Sequence, residues 1–126
     1  MDEHVPVAAV VACAVVMVGS ALLVHVLGVR AADGRLGRNP MVGIRIPATL
    51  SSDEAWLAGH KAARRSTGIG AAGMGLAGLL AVLLHGSTPG FVTAVFLGAA
   101  WMLAWVFVGA KKAAAAAGSA SSPSAP

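Results

Sequence analysis

Three stretches of the chain contain no Asp, Glu, Lys or Arg, and the segments around them hold all of the charge. The stretches cover residues 7–29, 66–85 and 90–110. Each has about the 20 residues that an α-helix needs to cross a hydrocarbon core of about 30 Å. None shows the alternation of polar and apolar residues that a membrane β-barrel requires. The pattern predicts an all-α integral membrane protein with three transmembrane helices.

The composition favours lipid over water as the solvent for these stretches. Of the 126 residues, 57% are hydrophobic and 11% are charged, whereas about a quarter of the residues in a typical soluble domain are charged. We therefore expect residues 1–112 to form one three-helix transmembrane domain in the lipid bilayer. Residues 113–126 are of low complexity and are expected to form a disordered tail. The alanine run at 113–117 also permits an extension of the third helix.

The basic residues predict the orientation of the chain. Asp2 and Glu3 precede the first stretch, and the second loop, residues 86–89, is uncharged. All nine Lys and Arg lie between the first two stretches or after the third: Arg30, Arg35, Arg38, Arg45, Lys61, Arg64, Arg65, Lys111 and Lys112. Because Lys and Arg concentrate in cytoplasmic loops, we expect a multipass membrane protein whose basic segments lie on the cytoplasmic side. Its N-terminus would lie outside, with the loop 30–65 and the C-terminus cytoplasmic. This placement explains the net charge of +4 without a nucleic-acid partner.

The first stretch differs from a secretory signal peptide. A signal peptide has a basic start and an apolar core of about 7–15 residues, whereas this stretch follows two acidic residues and covers residues 7–29. We interpret it as a retained transmembrane helix. Cys13 is the only cysteine, so neither a disulfide framework nor a thiolate metal cluster is expected.

Small residues on the second stretch predict close helix packing. Glycine and alanine recur there at the four-residue spacing that lets helix backbones approach in lipid, which also makes a homo-oligomer plausible. The predicted packing positions are Ala71, Gly73, Gly75, Ala77 and Gly78. A partly unwound segment, as in transporter ion sites, is the alternative. Trp101 is expected to pack against the glycine face, and a ligand-stacking pair of Trp101 and Trp105 is the alternative.

The loop between the first two stretches is densely specified. Ser51, followed by Glu54 three residues later, matches a capping box. A short amphipathic helix is therefore expected from near Ser52 to Arg65, either ending there or continuing into the second transmembrane helix. Trp56 suits the membrane–water boundary, which favours a helix that lies on the membrane surface and anchors the loop. The alternative is a cytoplasmic face that binds a partner or a substrate.

Ten residues of this loop resemble the characteristic motif of the SdpI family of bacterial multipass membrane proteins. They are Asn39, Gly43, Ile44, Arg45, Pro47, Thr49, Leu50, Glu54, Trp56 and His60. The family pattern is close to N-x3-G-I-R-T-P-W-T-L, followed by E-x-x-W-x-x-x-H or a near variant. Ile46 stands where the family commonly has Thr, and Ala48 where it commonly has Trp. Many members carry further N-terminal helices, so the chain resembles the family's C-terminal module.

The resemblance implies a non-enzymatic protein related to immunity proteins, which protect a producing cell from its own secreted killing peptide. It predicts immunity to a membrane-active peptide or envelope signalling, with the ten loop residues as the functional set. The side chains expected to recognise a peptide toxin or a cytoplasmic or membrane protein partner are Arg45, Glu54, Trp56 and His60. An Arg45–Glu54 salt bridge that only shapes the loop is the alternative.

Two other classes of function are alternatives to immunity or envelope signalling. A structural or accessory subunit would pack through the second helix into a larger membrane complex. An enzyme or transporter is disfavoured, because no HExxH, CxxC, GxSxG or P-loop pattern occurs. The histidines, at positions 4, 25, 60 and 85, are distributed over both predicted sides of the membrane. We therefore predict no catalytic residue, no metal site and no cofactor.

Overall fold

The computed structural model describes residues 4–121, and the regular structure in this range is entirely helical. The helices are α1 (Val7–Ala32), α2 (Pro47–Leu50), α3 (Asp53–Leu83) and α4 (Thr88–Ser121). Three of them are long and apolar enough to cross a membrane, namely α1, α3 and residues 88–120 of α4. The predicted class, an all-α protein with three transmembrane helices, is confirmed.

Helix α3 begins close to the predicted position, but its N-cap is Ser52 and the predicted Ser51–Glu54 capping box is not formed, since the Ser51 hydroxyl donates to the Ala48 carbonyl at 2.7 Å. The Ser52 hydroxyl accepts a hydrogen bond from the Ala55 N–H at 3.0 Å, and Asp53 and Glu54 lie in the first turn, where they favour the helix dipole. The helix continues without a break to Leu83. The expected surface-lying helix is therefore wrong, since these residues form the first turns of a membrane-crossing helix. The partly unwound alternative is wrong as well.

Helices α3 and α4 are longer than the membrane requires. At about 1.5 Å per residue, the 34 residues of α4 extend far beyond a core of about 30 Å. The first turns of α3 and the last turns of α4 therefore project from the same side. The prediction of a disordered tail from residue 113 is wrong as far as Ser121. Helix α4 includes residues 113–121, and Ala113 and Ala117 are fully buried. Residues 122–126 lie outside the described residues.

Helix α3 is central and runs antiparallel to both neighbours. Toward α1, an added Cβ on Gly28 would lie 3.2 Å from Thr67 Cγ2 near the basic end, and one on Gly78 would lie 3.0 Å from Met17 Cβ near the opposite end. Toward α4, a Cβ on Gly59 would lie 3.3 Å from the Ala113 carbonyl oxygen. At the end distant from the basic residues, all three helices share a small core, formed by Val10, Ala81, Phe91 and Ala94.

The predicted packing residues lie on two faces of α3. Gly75 and Gly78 face α1, whereas Gly73 and Ala77 face Trp101 and Gly98 of α4. Ala71 is also buried. The Trp101 indole lies against Gly73, and its Nε1–H donates to the Ile69 carbonyl at 3.0 Å. Because glycines occupy these positions, both neighbouring helices approach α3 closely.

Candidate functional site

The ten motif residues lie together at the basic end of the helices. We call residues 33–60 the loop platform; it comprises the segment after α1, helix α2 and the first two turns of α3. Three of the ten motif side chains are buried: Thr49, Trp56 and His60. Their contacts determine the conformation of the rest.

His60 joins α3 to the loop through both ring nitrogens. The Ile44 N–H donates to His60 Nε2 at 2.9 Å, so Nε2 carries no proton. His60 Nδ1 lies 2.8 Å from the Trp56 carbonyl oxygen and donates to it as an N–H. The imidazole is 3% exposed. The site therefore holds His60 as the neutral Nδ1–H tautomer.

Burial lowers the pKa of His60 below its ordinary value of 6.5, and the hydrogen bond to the Trp56 carbonyl offsets part of this effect. The uncharged, membrane-spanning part of α3 begins at Ser66, so His60 lies outside it. A lowered pKa in the folded state means that the unfolded chain binds a proton first as the pH falls. Neutral His60 therefore contributes fully to the free energy of unfolding above the pKa that it has in the unfolded chain. This contribution is lost as the pH falls from there through the pKa of His60 in the folded protein.

We expect the melting temperature of the protein in detergent to fall as the pH is lowered from 8 to 5, because protonated His60 cannot accept the Ile44 hydrogen bond. His60→Gln removes the titrating group and should flatten this part of the pH dependence. His85→Gln is the control, since His85 is exposed beyond the far end of α3. An unchanged pH dependence in His60→Gln would contradict the assignment.

Trp56 packs between His60 and the loop. Its ring centroid lies 4.2 Å from that of His60, and its Nε1–H donates to the Leu36 carbonyl at 2.9 Å. Gly43 passes directly over both rings with a φ of +104°. A Cβ there would lie 2.7 Å from Trp56 Cη2 and 2.9 Å from His60 Nε2. Gly43 is therefore required both by its backbone conformation and by the close approach.

Thr49 holds α2 on the platform. Its hydroxyl donates to the Ile44 carbonyl at 2.5 Å and accepts from the Ile46 N–H at 3.2 Å. Pro47 provides the first residue of α2, a position that its fixed φ favours. Thr49 Cγ2 contacts Gly59 of α3. Helix α2 is thus enclosed by its own loop and by α3.

Asn39 shapes the turn that precedes Gly43. Its Oδ1 accepts from the N–H groups of Met41 at 2.9 Å and Val42 at 2.8 Å. Its Nδ2 donates to the Gly37 carbonyl at 2.9 Å. The side chain thus replaces backbone partners that an irregular segment otherwise lacks. Asn39 is a structural residue of the loop platform.

The charged motif residues point outward. Arg45 and Glu54 are exposed, and neither forms an ion pair within residues 4–121. The Arg45–Glu54 salt bridge considered from the sequence is not formed. The ion pairs in this range are Arg35–Asp33, Arg38–Asp53 and Arg64–Asp33. These pairs are exposed, so each is worth about 1 kcal/mol or less.

A comparison with family models matches residues 35–109 to the model of the SdpI/YfhL protein family. The match covers more than half of the chain and includes most of the loop platform, all of α3 and most of α4. The chain belongs to the SdpI/YfhL family. It is therefore a bacterial membrane protein of this family, as the loop motif predicts. Searches of curated proteins and of solved structures found no match to the chain.

In this SdpI/YfhL protein, several residues of the platform, and one residue of α4 that contacts it, were not anticipated from the sequence. Gly59 and Ala113 form the contact between α3 and the last turns of α4. Arg38 donates to the Leu50 carbonyl at 2.9 Å and pairs with Asp53 at 3.3 Å. Leu36 contributes only its carbonyl, which no side-chain pattern reveals. Among these residues, only Gly59 could have been noticed in the sequence, because a glycine inside a helix often indicates that another part of the backbone approaches closely.

The chemistry available to the SdpI/YfhL platform is recognition of charged groups. Both nitrogens of His60 are engaged within the fold. No group of three or more His, Cys, Asp or Glu within the described residues could hold a metal ion. Outside the ion pairs observed within residues 4–121, the platform exposes one guanidinium, from Arg45, and one carboxylate, from Glu54.

Proposed function

We propose that this SdpI/YfhL protein is a non-enzymatic protein of the bacterial plasma membrane that gives immunity to a secreted membrane-active peptide or takes part in envelope signalling. The loop platform lies on the cytoplasmic side and binds a protein partner through Arg45 and Glu54. One observation carries the proposal. Both charged side chains are exposed and unpaired, on a segment that buried Thr49, Trp56 and His60 hold in one conformation.

Ordering the loop platform costs conformational entropy, which contacts within the fold must offset. Fixing the backbone of each residue costs about 1–2 kcal/mol of conformational entropy, and a passive connector gains nothing from it. The hydrogen bonds from the Ile44 N–H to His60 and from the Trp56 Nε1–H to the Leu36 carbonyl offset part of this cost before any partner arrives. The partner then binds a preorganised surface. Trp56 and His60 are positioning residues in this proposal.

The cytoplasmic placement rests on the distribution of charge. All nine Lys and Arg belong to the segments at the loop-platform end of the three helices, which the positive-inside rule assigns to the cytoplasm. The N-terminus then lies outside and the C-terminus inside. Reporter fusions after Pro47 and after Pro126 should both report a cytoplasmic location. Opposite locations would overturn the orientation.

Arg45→Ala and Glu54→Gln should each abolish protection while leaving the protein in the membrane. Loss of one contact at the centre of an interface typically weakens binding by about tenfold or more. The assay measures survival of a deletion strain that expresses each variant during exposure to membrane-active peptides, with membrane content checked by immunoblot.

Arg65→Ala is the matched control for Arg45→Ala. Arg65 is also exposed and outside the observed ion pairs, but it lies on α3 beyond the platform. Full protection by the Arg45→Ala and Glu54→Gln variants would refute the proposed partner surface.

A second candidate function is an accessory subunit of a larger membrane complex. A groove of about 490 Å³ lies between α1 and α3, and its floor includes Gly68, Ala71, Ala72 and Gly75. Small residues of this kind let a further helix approach closely, from a partner or from a second copy of this chain. Co-purification of a stoichiometric membrane protein would support this function over immunity.

A further inference from the structure

A second cavity lies at the basic end of the helices, separate from the exposed face of the platform. Its volume is about 220 Å³. Helix α1 contributes Val24 and Leu27, and α4 contributes Met102 and Val106. The cavity therefore lies between α1 and α4, which are both packed against α3. Val106 is 41% exposed, so the cavity reaches the lipid-facing surface beside α4.

The cavity lies at the level where the membrane-spanning segments end. Gly28, on its wall, is two residues before Arg30, and Val106 is five residues before Lys111. The loop platform covers the polar end of the cavity through Gly43 and Ile44. A molecule bound there would therefore contact the hydrocarbon on one side and the charged headgroup region on the other.

Arg64 provides the charge at this site. It lines the cavity, and its side chain is 54% exposed. One of its nitrogens, Nη1, lies 3.1 Å from Asp33 Oδ1, which leaves most of the five guanidinium N–H donors for a ligand. The surrounding segments carry nine basic residues and three acidic ones. The site therefore has an apolar interior and a positively charged opening.

We propose that this cavity binds one anionic phospholipid of the membrane, with part of an acyl chain between α1 and α4 and the phosphate at Arg64. Basic pockets between transmembrane helices on the cytoplasmic side suit anionic headgroups. The volume agrees with partial entry of the chain. An apolar cavity of about 150 Å³ holds a benzene molecule, whereas pockets that enclose a whole drug-sized ligand have about 300–1,000 Å³.

Native mass spectrometry of the full chain in a non-ionic detergent tests the proposal. The protein is titrated with dioleoyl-phosphatidylglycerol and, separately, with dioleoyl-phosphatidylcholine, which has the same acyl chains without the net charge. We expect one phosphatidylglycerol per chain, bound about tenfold more tightly than phosphatidylcholine. Both lipids offer a phosphate to Arg64, but phosphatidylcholine also brings its cationic choline group into the basic opening, whereas phosphatidylglycerol carries a net negative charge. Equal binding of the two lipids would overturn the proposal.

Two pairs of variants separate the site from general surface charge. Arg64→Gln should remove the tenfold preference, whereas Arg65→Gln, with the same change in net charge, should retain it within about twofold. Asp33→Asn breaks the Arg64–Asp33 ion pair, together with the Arg35–Asp33 pair, but keeps both arginines, so the preference should persist. An equal loss in the Arg64 and Arg65 variants would show nonspecific attraction and overturn the site.

The apolar part of the site has its own test. Val106→Trp fills the cavity and should weaken binding of both lipids about tenfold, whereas Val108→Trp, also on α4 but outside the cavity lining, should not. Circular dichroism checks the fold of each variant. If Val106→Trp does not fold, the comparison of Arg64→Gln with Arg65→Gln decides whether the lipid binds at this cavity. Inorganic phosphate should not displace phosphatidylglycerol. Displacement at millimolar phosphate would indicate a free-anion site and overturn the assignment to lipid.

Discussion

Gly43→Ala is expected to dislodge the loop platform and to destabilise the protein by about 3 kcal/mol. Two effects act together. The backbone at Gly43 has a φ of +104°, which strains any residue with a Cβ, and the new methyl would lie 2.7 Å from the Trp56 ring. Neither can be relieved locally, because Trp56 and His60 are both buried and hydrogen-bonded.

The measurement is the melting temperature in detergent, combined with the rate of tryptic cleavage at Arg45. Gly37→Ala is the matched control within the same loop. Gly37 has nothing within 4 Å of an added Cβ and no positive φ, so this variant should behave like the wild type. Equal stability of the two variants would show that the Gly43 contact does not hold the platform.

Gly98→Val is expected to separate the membrane-spanning helices and to cost about 2–3 kcal/mol. Gly98 lies where α4 meets both other long helices: an added Cβ would be 2.5 Å from Ala77 Cβ and 2.8 Å from Met17 Cε. The Met17 side chain is flexible and can move aside. Ala77 Cβ cannot move unless the α3 backbone moves, so the two helices must separate.

Gly19→Val is the matched control for this substitution. Gly19 is also in a transmembrane helix, but nothing lies within 4 Å of an added Cβ. The Gly19→Val variant therefore measures the intrinsic effect of valine on a helix without a packing clash. Thermal unfolding in detergent should show a clearly lower melting temperature for Gly98→Val than for Gly19→Val. Similar melting temperatures would argue against tight packing at Gly98.

The helices were predictable where local rules act. The hydrophobic length of each uncharged stretch predicted the three spans, and the Ser and Glu residues around Ser52 predicted the start of α3. The sequence left the course of residues 113–117 open between a disordered tail and an extension of the third helix, and it predicted disorder for residues 118–121, whereas α4 continues to Ser121. Ala113 is fully buried, and its carbonyl lies against Gly59 on a different helix. That contact depends on the antiparallel packing of α3 and α4.

The candidate site was predictable as a set of residues but not in its division of roles. The motif grouped Arg45, Glu54, Trp56 and His60 as recognition residues, yet Trp56 and His60 are buried supports. Their partners are backbone groups of Leu36 and Ile44, which are 20 and 16 residues away. Backbone donors and acceptors are common to almost every residue, so no side-chain pattern identifies these partners.

By itself, the sequence determined that this protein crosses a membrane three times and that its basic segments lie at one end. Each uncharged stretch can cross the hydrocarbon independently of the others, because crossing requires only sufficient length, apolar side chains and backbone hydrogen bonds within the helix. The tertiary structure alone decided which motif residues are buried and which are presented. An imidazole and a backbone amide 16 residues apart can meet only after the loop has folded back on α3, and that meeting leaves Arg45 and Glu54 on the outside.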